Sequence, residues 1–65
     1  MKLFPSTIRE LNNYVGYNIF FKGDGGYYKR QNGVMLFVVR ALYLLSFDEW
    51  LEIAKNDQFI DNKKL

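Results

Sequence analysis

Cysteine and histidine are absent from this 65-residue chain, and proline occurs once, at Pro5. Without cysteine there is no disulfide staple and no thiolate metal site. Without histidine the other common zinc ligand is gone, and so is the commonest general base. Long apolar runs are missing too. The longest, Val34 to Leu45, is interrupted by Arg40 and spans about a dozen residues, whereas a membrane-crossing helix needs ~20. Met1-Lys2-Leu3-Phe4 runs into Pro5 without the apolar stretch and small-residue cleavage site of an export signal. The expected location is therefore the cytoplasm, with no membrane partner. Strong charge is lacking as well. A net charge of +2 falls short of the dense basic stripe of a dedicated nucleic-acid domain.

What is present is apolar and aromatic. Hydrophobic residues make up 49% and aromatic residues 18% of the chain, which is the opposite of a disordered composition. One domain of this size buries only ~60% of the surface its unfolded form exposes. With disulfides and metals excluded, the remaining reinforcement is a larger protein or a second copy of the chain. Large side chains left on the surface would then mark where that partner sits. Phe, Tyr, Ile, Asn and Lys also outnumber Gly, Ala, Arg and Pro. That bias suggests an AT-rich genome and fits a phage or mobile element.

The pattern predicts an α+β domain: a short N-terminal helix, a three-stranded antiparallel meander, and a C-terminal helix packed with the first on one sheet face. Thr7 and Glu10 have capping-box spacing, Ile8, Leu11 and Val15 share one helical face, and Gly16 suits the C-terminal stop. Tyr17 to Lys22 and Tyr27 to Gln31 read as strands joined through Gly23-Asp24-Gly25-Gly26. Asn32-Gly33 is a strong hairpin signal leading into Val34 to Val39. The unbroken apolar character of that third strand suggests a central place in the sheet, whereas chain order puts Tyr27 to Gln31 in the centre. Arg40 to Leu45 reads equally as strand or helix, with the change placed near Arg40. Ser46 and Glu49 form a second capping box, with Leu45 positioned to staple onto Trp50. Phe47, Trp50, Leu51 and Ala54 share one face of a helix expected to run to about Asn56. The tail from Asp57 to Leu65 is polar apart from Phe59, Ile60 and the terminal Leu65, and it either frays or docks through Phe59 and Ile60.

The inventory for catalysis is thin. Ser6, Thr7 and Ser46 stand at helix starts, where capping accounts for them. Asp48 and Glu52 lie four apart, as do Asp57 and Asp61, but a solvated helix face or tail explains such carboxylates better than a metal site. The glycine-rich turn is not followed by the Lys-Ser/Thr helix start of a phosphate loop and lacks the spaced acids of a calcium loop. Arg40 reads as a boundary residue with its stem packed and its head in water. The expectation is a non-enzymatic protein-binding module, with no cofactor and no metal, acting as an accessory subunit or an inhibitor. Its partner-binding residues would be Tyr14, Tyr17, Tyr27, Tyr28, Tyr43 and, if exposed, Trp50, the side-chain types that interface hot spots favour. A homodimer through the same surface is equally compatible. The alternative is a single-stranded nucleic-acid binder using Lys22, Tyr28, Lys29 and Arg30, where rings stack on bases and cations meet phosphates. Period two limits that alternative, because alternate residues of one strand face opposite ways.

Overall fold

The computed structural model describes residues 3–56, so the tail residues Asp57, Phe59, Ile60 and Asp61 lie outside the described part. The described chain is α+β: helix α1 (Ile8–Val15), strands β1 (Phe20–Gly23), β2 (Gly26–Gln31) and β3 (Val34–Val39), a 3-10 turn (Leu42–Leu44), and helix α2 (Phe47–Lys55). The strands form one antiparallel sheet in the order β1-β2-β3. The apolar strand β3 is thus at the edge, and the more polar β2 is central. The hairpin turn sets this order. Asn32 and Gly33 both take positive φ (55° and 78°), which reverses the chain tightly enough for β3 to return beside β2.

Both helices start on hydroxyl caps. Thr7 Oγ1 accepts from Glu10 N at 3.1 Å, but the Glu10 carboxylate reaches one residue further back than expected and takes the N–H of Ser6 at 2.9 Å. At α2 the capping box is complete, with Glu49 N donating to Ser46 Oγ (3.2 Å) and Ser46 N donating to the Glu49 carboxylate (2.8 Å). No helix of the described residues is long and apolar enough to cross a membrane.

Leu11, Ile19, Phe20, Val38, Phe47, Trp50 and Ala54 form the core between the helices and one sheet face. Trp50 is fully buried, edge-on to Phe20 at 4.8 Å between centroids, and its indole N–H donates to the Leu42 carbonyl at 3.2 Å. That bond explains why residues 40–45 are neither strand nor long helix. The chain must turn after Val39 to bring the Leu42 carbonyl to the indole, and the 3-10 turn does this. A bulge opposite Tyr27/Tyr28 lets two successive residues, Val38 and Val39, both pack on the core. Gly26 allows the sheet to close there: a Cβ on it would meet the Val39 carbonyl at 2.5 Å and the Arg40 Cα at 2.9 Å.

Two polar side chains fasten the helices to the sheet. Asn12 of α1 is buried. Its carbonyl accepts from Ile19 N (3.1 Å) and Phe20 N (3.0 Å), and its amide donates to Phe20 O (2.9 Å), so one side chain mimics a strand neighbour at the entry to β1. Lys29, at the centre of β2, is only 2% exposed, and its ammonium donates to the Ile53 and Asn56 carbonyls at 2.6 Å each. These carbonyls belong to the C-terminal end of α2, where the helix dipole favours a cation.

At about 0.05–0.15 kcal/mol per residue, a chain of 65 residues has about 3–10 kcal/mol of net stability. Asn12→Ala leaves three buried backbone groups without their partner and is expected to remove about 3 kcal/mol. Urea unfolding followed by Trp50 emission should show the midpoint collapsing. Ser46→Ala should lower stability by only about 1 kcal/mol in the same assay.

Candidate interaction surface

Alternation along the strands divides the sheet into two unlike faces. Phe20, Lys29, Leu36 and Val38 turn toward the helices, and Phe21, Tyr28, Arg30, Met35 and Phe37 turn away. On the outward face the Arg30 guanidinium carbon lies 4.7 Å from the centroid of the Phe21 ring. Tyr28 meets Phe37 edge-on at 5.6 Å, and its hydroxyl donates to the Asp24 carbonyl at 2.7 Å. These rings are therefore engaged with one another and with the β1–β2 turn.

The four residues expected to contact nucleic acid are not assembled into one surface. Lys29 is withdrawn into the interior, where α2 uses its charge. Lys22 lies opposite Tyr27 on the helix-facing side of the register and is exposed at the strand end. Tyr28 and Arg30 are on the outward face. Arg30 covers a face of Phe21, leaving that face unavailable for stacking on a base.

The six aromatic residues expected to form a partner surface separate into four places. Trp50 is core. Tyr14 (68% exposed) and Tyr17 (58% exposed) border a groove of about 340 Å³ with Val15, Leu51, Ala54 and Lys55. Tyr14 also packs its ring edge-on against Phe47 at 5.0 Å, which ties it to the α1–α2 contact. Tyr28 is half-buried on the outward sheet face. Tyr27 and Tyr43 come together with Lys22, Arg40 and Leu42 around a hollow of about 550 Å³ beside the β1–β2 turn. Across the turn a second hollow, about 390 Å³, is lined by Asp24, Tyr28, Phe37, Arg40 and Leu44.

Arg40 borders both hollows, and the 3-10 turn that follows it holds Tyr43 and Leu44 outward at 69% and 49% exposure. From the sequence Arg40 reads as a boundary residue, and it is exposed there. Its position became legible once the Trp50–Leu42 bond fixed where the chain turns. Among the described residues this end combines exposed apolar and phenolic surface with two exposed cations, Lys22 and Arg40, and one nearby acid, Asp24. Helix α2 carries the exposed acids Asp48, Glu49 and Glu52. Among the described residues no group of three or more His, Cys, Asp or Glu is placed to hold a metal ion.

Two buried polar residues, Asn12 and Lys29, were missed as structural. A signal existed for each. Asn12 is four residues after Ile8 and three before Val15, inside the apolar face of α1. Lys29 shares strand parity with Tyr27 and, through the register, with Phe20. Lys29→Met keeps the stem but removes the ammonium donor from the Ile53 and Asn56 carbonyls, leaving Ile53 O only the longer bond from Asn56 N (3.3 Å), so it is expected to destabilise the fold by about 2–4 kcal/mol. Arg30→Met on the same strand loses only an exposed contact with the Phe21 ring and should cost no more than about 1 kcal/mol. Parallel urea titrations compare the two.

No protein-family model matches this chain, and no curated protein or solved structure shows significant similarity to it.

Proposed function

We propose that this protein is a non-catalytic binding module, an accessory subunit or inhibitor, that engages a larger protein at the β1–β2 turn end. The observation that carries the reading is the display of Tyr43 and Leu44, 69% and 49% exposed, beside Arg40 and Lys22. Exposed large side chains are ordinary when scattered. Here they are held out by a turn anchored to the buried Trp50 indole through the Leu42 carbonyl, and an anchored turn lowers the ordering cost of binding.

The chemistry of the surface points to the partner's character. Two cations stand near one acid around tyrosyl and leucyl surface, which suits a segment with apolar anchors flanked by Asp or Glu. Tyr and Arg are also the residues that carry most interface energy when they are desolvated at the centre of a contact. The absence of His and Cys from the sequence supports binding over catalysis, and the hydroxyls Thr7 and Ser46 are already engaged as helix caps.

Selection of acidic, aromatic-containing peptides from a displayed library against the purified chain tests this reading. The expected outcome is a ligand whose affinity falls at least tenfold with Tyr43→Ala and with Arg40→Glu, while Trp50 emission stays native. Tenfold corresponds to about 1.4 kcal/mol. Titration with single-stranded oligonucleotides at two salt concentrations is the opposing arm. Binding that falls steeply with salt and is unaffected by Tyr43→Ala would replace the protein-binding reading with the nucleic-acid one.

A further inference from the structure

Of the six asparagines in the chain, only Asn32 is followed by glycine; the others precede Asn13, Tyr14, Ile19, Asp57 and Lys63. Asn32 and Gly33 form the whole turn between β2 and β3, with Gln31 paired to Val34 on either side of them. Both turn residues are exposed and take positive φ, 55° and 78°. Neither the Asn32 carboxamide nor the Gly33 N–H makes a hydrogen bond to any described residue. Space around the Gly33 backbone is open, since a Cβ built there would meet nothing within 4 Å. An electrophilic carbon, Asn32 Cγ, therefore stands one residue before a backbone nitrogen that is neither screened nor engaged.

We propose that Asn32-Gly33 is a self-modification site, where the turn rearranges through a cyclic imide to an isoaspartyl link and unfastens β3 from β2. Asparagine is among the thermolabile residues. In the first step the Gly33 nitrogen attacks Asn32 Cγ. The Cγ–Nδ2 bond breaks, and ammonia leaves with the proton that the Gly33 nitrogen gives up. In the second step water adds to the five-membered imide. Its hydroxyl goes to one of the two Asn32 carbonyl carbons, and its other proton goes to the Gly33 nitrogen as their bond breaks. Opening at Cγ leaves an ordinary aspartate. Opening at the main-chain carbon leaves the backbone running through Cβ and Cγ, with a free α-carboxylate. No electrons are gained or lost, and water is the one co-reactant.

Glycine permits the ring closure, because a side chain on the following residue would crowd it. The fold adds selectivity. Asn12 is buried with its carbonyl and amide both bonded, and the N–H of Ile19, which follows Asn18, is taken by Asn12. Asn13 and the Tyr14 after it lie inside α1. Asp24-Gly25, at the other end of β2, repeats the pattern with a carboxylate, a poorer electrophile than a carboxamide. The consequence falls on the hairpin. A two-residue loop with positive φ at both positions sets the register of its strands. The isoaspartyl product has one more backbone carbon, so Gln31 and Val34 lose the spacing that a ladder pair needs. It also takes one from the net charge of +2. The site lies at the opposite end of β2 from the surface around Tyr43, so this inference is independent of the proposed partner site.

Prolonged incubation of the intact chain at neutral pH and body temperature is the test, with charge followed by ion exchange and the site by peptide mass mapping. Asn32 is expected to convert while the five other asparagines stay intact, and to convert faster as the pH is raised. Asn32→Gly, which keeps positive φ available, should abolish the change and leave Trp50 emission native. Amide hydrogen exchange then reads the structural consequence. The Gln31 and Val34 amides should exchange faster in the purified isoaspartyl chain than in Asn32→Asp, which carries the same charge without the extra backbone carbon. An Asn32 that stays intact, or that converts no sooner than another asparagine, would overturn the proposal. So would an isoaspartyl chain whose β2–β3 amides are as protected as those of Asn32→Asp.

Discussion

The buried ammonium of Lys29 is the interaction on which the rest of the structure depends. It stands at the centre of the middle strand and reaches across the interior to the last carbonyls of α2. A small chain without disulfides has few ways to lock a helix to a sheet, since apolar packing is non-directional. Two short charge-assisted hydrogen bonds supply direction. They set the distance of α2 from β2, and with it the placement of Trp50 against Phe20. Trp50 in turn takes the Leu42 carbonyl, which fixes the turn that presents Tyr43 and Leu44. Asn12 performs the corresponding task for α1, standing in for a strand neighbour where β1 begins.

The same interaction shapes the surface. With Lys29 used internally, the basic character of the hairpin is divided among Lys22, Arg30 and Arg40. Arg30 is laid over Phe21 and stabilises the outward face. Lys22 and Arg40 remain beside the β1–β2 turn, where tyrosine and leucine are also exposed. Buried polar groups of this kind trade some stability for a single, well-defined arrangement, and a rigid arrangement is what a small recognition surface requires.

The elements of the fold were legible in the sequence because their signals are local. Ser46 and Glu49 marked the start of α2 through hydrogen bonds three residues apart, and Asn32-Gly33 marked its hairpin through backbone conformations few other residues adopt. The position of β3 at the edge was harder to read. An unbroken apolar strand resembles a central one, and here one side of it packs on the core while the other carries Met35 and Phe37 outward. The site was least legible, because it depends on contacts between distant residues. Composition counts Trp50 among candidate interface aromatics, but a bond eight residues away, to Leu42, accompanies its place in the core. Lys29 looks like a surface cation until the register places it opposite Phe20 and beneath α2.

The most direct measurement of this account is the side-chain nitrogen NMR spectrum of the lysines at neutral pH. The account predicts that the Lys29 ammonium gives a slowly exchanging signal with nuclear Overhauser contacts to the end of α2, whereas Lys22 exchanges too fast to be seen. A Lys29 ammonium that exchanges as fast as that of Lys22 would contradict the account, because α2 would then be unfastened from β2 and the hairpin cations would be free to meet a phosphate backbone.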